Sequence, residues 1–170
     1  MSSNMSIRQF NDPDMLEHID LVLEKTGLPA SQLKLEITES LLMEDTQATD
    51  HLVAQLKARQ LDLHLDDFGT GYSSLSYLHK LPIDALKIDR SFVANMGANG
   101  SNASTVAAVV TLAHNQGITV IAEGIETAEQ AAKLRSLKCN LGQGYYFAKP
   151  LTALDAERLL SSGQRMLQSA

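Results

Sequence analysis

Leu61-Asp62-Leu63-His64-Leu65-Asp66-Asp67-Phe68-Gly69-Thr70-Gly71 is the stretch that decides the fold. Successive side chains of a strand point to opposite faces, so its first six residues separate into an apolar row, Leu61, Leu63 and Leu65, and a polar row, Asp62, His64 and Asp66. Three other runs separate in the same way. In 33–38, Leu33, Leu35 and Ile37 oppose Lys34, Glu36 and Thr38; in 85–89, Leu86 and Ile88 oppose Ala85, Lys87 and Asp89; in 119–123, Val120 and Ala122 oppose Thr119, Ile121 and Glu123. Each strand carries a charged residue at or near its C-terminal end, on the row opposite the apolar one.

A parallel sheet covered by helices on both faces has two apolar rows, because an unpaired buried charge is costly. One charged face points instead to a (β/α) barrel. Its apolar row packs outward on helices, and its charged row converges at the C-terminal mouth, where such barrels place their active sites. The intervening patterns predict helices near residues 13–26, 46–59, 73–80, 102–116, 127–137 and 153–166. Asp12-Pro13 opens the first helix and Gly27 closes it, Gly117 closes another, and Thr127 with Gln130 forms a capping box. The Gly, Asn and Ser-rich stretch 95–102 reads as a loop. No internal repeat, heptad pattern or domain boundary interrupts residues 1–170, whose length and 44% apolar content suit a single core.

Composition restricts the ligands. Lys and Arg number 14 against 20 Asp and Glu, a net charge of -6, so no general basic field is present to hold DNA. A nucleotide must be held locally or through metal. The single Cys139 excludes an internal disulfide, and no stretch approaches the ~20 apolar residues of a membrane span. Residues 1–12 carry one Arg and no apolar run, unlike a secretory signal, so the expected location is the cytoplasm.

Glu36, Asp66, Asp67 and Glu123 place four carboxylates around one mouth, a crowding of like charge that needs cations. Oxygen ligands select a hard ion such as Mg²⁺ or Mn²⁺, and the adjacent Asp66 and Asp67 suit two of them. A metal pair roughly 3.5 to 4 Å apart is a common device for in-line attack of water on a phosphodiester. Lys87 on the neighbouring strand can stabilise phosphoryl oxygens or orient that water, and the Gly69-Thr70-Gly71 turn gives the loop room near a ligand. His64 reads as a packed polar residue of the barrel lining rather than a ligand, and Lys34 and Asp62 as a pair across the barrel floor. His51, His79 and His114 fall on predicted helices without ligand spacing, and Cys139 reads as a small buried residue.

The runs Leu35-Glu36-Ile37-Thr38-Glu39-Ser40, Asp66-Asp67-Phe68-Gly69-Thr70-Gly71-Tyr72-Ser73-Ser74-Leu75, Leu86-Lys87-Ile88-Asp89-Arg90-Ser91-Phe92, Ala122-Glu123-Gly124-Ile125-Glu126-Thr127 and Gln143-Gly144-Tyr145-Tyr146-Phe147 with Lys149-Pro150 resemble the EAL family in order and spacing. Asn4-Met5-Ser6 with Gln9-Phe10 resembles that family's Asn-x-Ser strand. The resemblance implies a modified TIM-like barrel and a cyclic-di-GMP phosphodiesterase that produces linear pGpG with two Mg²⁺ or Mn²⁺ ions. It implies Asn4, Glu36 and Asp66 as ligands of one ion and Asp66, Asp67 and Glu123 as ligands of the other. It assigns catalytic parts to Lys87, Gln143 and Glu123, loop anchoring to Glu39, and substrate or loop contacts to Gly69, Thr70 and Gly71. A homodimer, and an upstream sensor or GGDEF domain in a longer protein, are the partners it suggests.

One departure accompanies these matches. No Glu-x-Leu-x-Arg run, the segment that supplies the family with a further glutamate ligand and a phosphate-binding arginine, occurs in the 170 residues. The expected fold is therefore an incomplete barrel, lacking about the first two strands and their helices, against about 250 residues for a typical complete one. Core motifs span residues 4–150, followed by the C-terminal helix at about 153–166. Two functional readings follow: a two-metal phosphodiesterase domain, or a truncated, catalytically inactive module that binds cyclic-di-GMP or another protein. Negligible hydrolysis is expected of an isolated monomer.

Overall fold

The computed structural model describes residues 1–42, 47–69, 82–96 and 102–162. Six strands follow one another in the sheet in chain order: β1 (Ser2–Asn4), β2 (Lys34–Thr38), β3 (Asp62–Phe68), β4 (Ala85–Ile88), β5 (Thr119–Ala122) and β6 (Leu141–Gly142). Every pairing is parallel, from Asn4 opposite Glu36 at one edge to Ala122 opposite Gly142 at the other. Strands that pair with their successors through helical crossovers curl into a barrel wall, here part of a TIM-like barrel. The expected fold class stands.

Burial follows the two rows. Leu35, Ile37, Leu63, Leu65, Leu86, Ile88, Val120 and Ala122, all from the apolar row, are buried in one continuous core. Val53 and Leu56 of α4 (Gln47–Ala58) and Val106, Val109, Val110 and Ala113 of α6 (Asn102–Asn115) belong to the same core. Burying one such Leu or Val side chain contributes roughly 1.5–3 kcal/mol, which fixes the charged row toward the mouth. At the floor of that row, Lys34 Nζ lies 2.9 Å from Asp62 Oδ2, the pairing the alternation predicts.

Helix boundaries fall close to their sequence signals. The first long helix, α2 (Met15–Thr26), starts two residues after Pro13, because Asp12 forms a turn: its side chain accepts from Asp14 N at 3.0 Å and its carbonyl from Met15 N at 3.1 Å. Gly27 closes α2 through Leu23 O at 2.9 Å. The capping box of α7 (Ala128–Ser136) is present, with Gln130 N on Thr127 Oγ1 at 3.2 Å and Thr127 N on Gln130 Oε1 at 3.1 Å. The last helix, α8, covers Ala153–Ser161. Three short helices join these: α1 (Ile7–Phe10), α3 (Glu39–Leu42) and α5 (Arg90–Ala94). The helix expected at 73–80, most of the 95–102 loop and the end of the 153–166 helix lie outside the described residues.

Between β3 and β4 the register slips. Leu65 pairs with Leu86 but Phe68 pairs with Ile88, so Asp66 and Asp67 together face the single residue Lys87. This is a β-bulge, and Asp67 adopts a positive φ of 54° within it. Strict alternation would send Asp67 to the apolar face. The extra residue breaks the alternation and leaves both carboxylates at the mouth.

Candidate metal and phosphate site

Lys87 is the hub. It lies mid-β4, 5% exposed, and its Nζ is 2.7 Å from Glu36 Oε2 on β2, 2.9 Å from Asp66 Oδ1 on β3 and 2.8 Å from Glu123 Oε1 just beyond β5. Each partner stands on the charged row of a different strand, so the parallel register delivers all three to one point. Burial alone would drive off the lysine proton, but the hydrogen bonds it donates to Glu123, Glu36 and Asp66 outweigh that and hold the ammonium above its ordinary value. At neutral pH Lys87 is a fixed cation.

Three carboxylates contact this one ammonium, with Asp67 close by, and the acidities of Glu36, Glu123 and Asp67 diverge. Burial works against ionisation of Glu36, yet the Lys87 and Ser2 hydrogen bonds prevail and hold it below the usual range. Burial, joined by the charges of Asp66 and Glu36, pushes Glu123 upward despite Lys87. Asp67 is likewise raised, by burial first and then by Asp66 and Asp89. Four carboxylates thus gather about a single lysine. Carboxylate oxygens of Asp66, Asp67 and Glu123 lie within 4.8 Å of one another, and this all-oxygen donor set fits a hard divalent cation.

The remaining sequence-derived residues fall around this centre. Asn4 ends β1 in register with Glu36 and so shares its face, although it is exposed. Gln143 follows β6, and its Nε2 donates to Glu123 Oε1 at 2.7 Å. The backbone clamps that glutamine: Gln143 N donates to Ala122 O at 2.8 Å, and Ile125 N donates to Gln143 O at 3.1 Å. Glu39 opens α3, directly after β2, and is half-buried. Gly69 closes β3 at φ 97°, where a Cβ would stand 2.7 Å from the Phe92 ring of α5. Thr70 and Gly71 lie outside the described residues.

His64 is buried below Asp66, and desolvation, aided by the charge of Lys34, lowers its pKa and keeps it neutral. It stands apart from the Asp66, Asp67 and Glu123 group, as its reading as a packed polar residue requires. Ser2, whose side chain hydrogen-bonds Glu36, was missed by sequence reasoning. The signal was its place two residues before Asn4, on the same row of β1.

An outward apolar row with a buried lysine and carboxylates gathered at the strand ends defines part of a (β/α) barrel, a fold that places its sites at the C-terminal mouth. The family model of the EAL domain matches residues 1–150, and the chain belongs to that family. Cyclic di-GMP phosphodiesterase NbdA of Pseudomonas aeruginosa is 42% identical over 146 residues, which are 86% of this chain and 19% of that protein. The EAL domain of Mycobacterium smegmatis DcpA superimposes with a TM-score of 0.90 at 38% identity, over 96% of this chain and 74% of that one. A manganese and cyclic-di-GMP complex of Klebsiella pneumoniae BlrP1 gives a TM-score of 0.82 at 32% identity, over 88% of this chain and 38% of that one. The chain spans about a fifth to a quarter of the length of the curated relatives it matches.

Proposed function

We propose that residues 1–170 form the motif-bearing part of one EAL domain that hydrolyses cyclic-di-GMP to linear pGpG with two divalent ions, Mg²⁺ or Mn²⁺. The observation that carries this is the meeting of Glu36, Asp66 and Glu123 on Lys87, with Asp67 turned to the same mouth by the bulge. Asn4, Glu36 and Asp66 would hold one ion, and Asp66, Asp67 and Glu123 the other. Bound divalent ions supply charge stabilisation for a phosphodiester and make its attacking water more acidic. Lys87, at the centre of these carboxylates, stabilises negative charge on phosphoryl oxygens or orients the attacking water. Gln143 fixes Glu123 and offers its amide to the attacking water; Glu39 anchors the turn at Gly69, Thr70 and Gly71 beside the substrate. Work in the bacterial cytoplasm, as a homodimer and beside a sensor or GGDEF domain, belongs to the same reading. Among the described residues, no helix is long and apolar enough to cross a membrane.

The second reading is a module that binds cyclic-di-GMP or a protein without turnover. Calorimetric titration with cyclic-di-GMP and chromatographic detection of pGpG in Mn²⁺ separate the two. Turnover that Asp66→Ala abolishes supports the hydrolase. Metal-dependent binding without product supports the module, and absence of both binding and turnover sinks the cyclic-di-GMP reading.

A further inference from the structure

The contacts of Lys87 bear on how the site would take up its ions. An ammonium has three N–H donors, and here three carboxylates receive them, through one oxygen each of Glu36, Asp66 and Glu123. Two of those residues, Asp66 and Glu123, also belong to the group whose oxygens lie close enough to share a cation. A divalent ion drawn to Asp66, Asp67 and Glu123 thus arrives beside a fixed positive charge and competes with it for the same lone pairs. Screening there is weak, because Lys87 is only 5% exposed and its partners' side chains are 11%, 14% and 16% exposed.

We propose that Lys87 is an internal antagonist of metal binding: its ammonium and a divalent cation neutralise the same carboxylates, so the lysine holds the cluster together while weakening its affinity for the ion. Two coupled binding partners of one site affect each other reciprocally. Removing the lysine charge frees oxygen lone pairs and removes a cation–cation repulsion, so the ion binds more tightly. The same removal leaves carboxylates facing one another, so the protein depends more on the ion for its stability. The role is one of tuning and positioning, and it rests on the metal reading proposed above.

Mn²⁺ binding to the 170-residue chain, followed by calorimetry and by the spin resonance of free Mn²⁺, tests this in wild type, Lys87→Gln and Lys87→Met. Lys34→Gln serves as control, since Lys34 pairs with Asp62 at the opposite end of the strands. Both Lys87 variants are expected to bind Mn²⁺ about tenfold or more tightly than wild type, with the control within about threefold. Mn²⁺ is also expected to raise the melting temperature of Lys87→Gln more than that of wild type. Equal or weaker affinity in the Lys87 variants overturns the antagonism and leaves the metal reading standing. So does a Lys87→Gln protein that stays unfolded at saturating Mn²⁺, since the ion then fails to replace the ammonium. No Mn²⁺ binding by any of the proteins overturns the metal reading and the antagonism with it.

Discussion

Gly69 ends the strand that carries Asp66 and Asp67, and two physical constraints meet in it. Its φ of 97° is unfavourable for any residue with a Cβ, and the Cβ itself would stand 2.7 Å from Phe92 Cε2. Gly69→Ala is expected to lower stability by about 1–3 kcal/mol in urea unfolding, and Phe92→Leu in the same chain should recover part of that by vacating the ring. A neutral Gly69→Ala would refute the close approach. Cys139 gives a second residue-scale expectation. Its Sγ lies 3.3 Å from Leu141 O, and burial, partly offset by backbone hydrogen bonds, pushes the thiol above its ordinary pKa. Alkylation of the native chain near neutral pH should therefore be much slower than in denaturant, because the thiolate is the reactive form; equal rates would contradict that burial. At this scale the sequence was informative about residue type and silent about the bulge. Alternation alone puts Asp67 with the leucines, and only the slip from Leu65 opposite Leu86 to Phe68 opposite Ile88 shows how it reaches the mouth.

Between elements, α2 and α4 are joined by Arg59, just after α4, which donates to Asp20 of α2 from Nε at 2.9 and 3.1 Å and from Nη2 at 2.9 Å. Those hydrogen bonds hold the Asp20 carboxyl below the usual carboxylate range, against the opposing effect of burial. An unfolded Asp titrates near about 4. Between there and the lower folded value the unfolded chain binds more protons, so the stabilisation is complete above about pH 4 and is lost as pH falls through the folded value. The side chains are 50% and 29% exposed, so the pair is worth no more than about 1 kcal/mol. Asp20→Asn should unfold at slightly lower urea than wild type at pH 7, with the difference closing as pH falls from about 4 through the lower folded value; a gap that persists in stronger acid would point to another cause. The long elements around this pair were legible because repeating rows or capping residues announced them. By contrast β6 has two residues, too few to show a period, and α1, α3 and α5 span four or five. Their positions follow from tertiary contacts such as the Gln143 N to Ala122 O bond, which no local pattern encodes.

At the scale of the whole molecule, among the described residues the sheet pairs at each end with a single neighbour: β1 with β2, and β6 with β5. Apolar side chains are exposed near both edges. Ile7 is 50% and Val22 52% exposed toward the β1 side, while Leu141, within β6 itself, is 58% exposed and Tyr145, just after it, 60%. An edge strand offers unpaired N–H and C=O groups, and apolar surface beside it adds a drive toward association. The 170-residue chain is therefore expected to self-associate, its weight-average mass rising with concentration in sedimentation velocity. The net charge of -6 opposes this weakly, because repulsion between molecules is screened beyond about 10 Å at moderate salt. Added salt should consequently favour the larger species. Leu141→Lys, which puts a charge on the β6 edge, and Val22→Lys on the β1 side should each shift the distribution toward monomer. If only one of them does, association runs through that edge. A mass that stays monomeric at every concentration and salt would mean that neither edge is available for pairing, and that the exposed apolar side chains beside β1 and β6 drive no association.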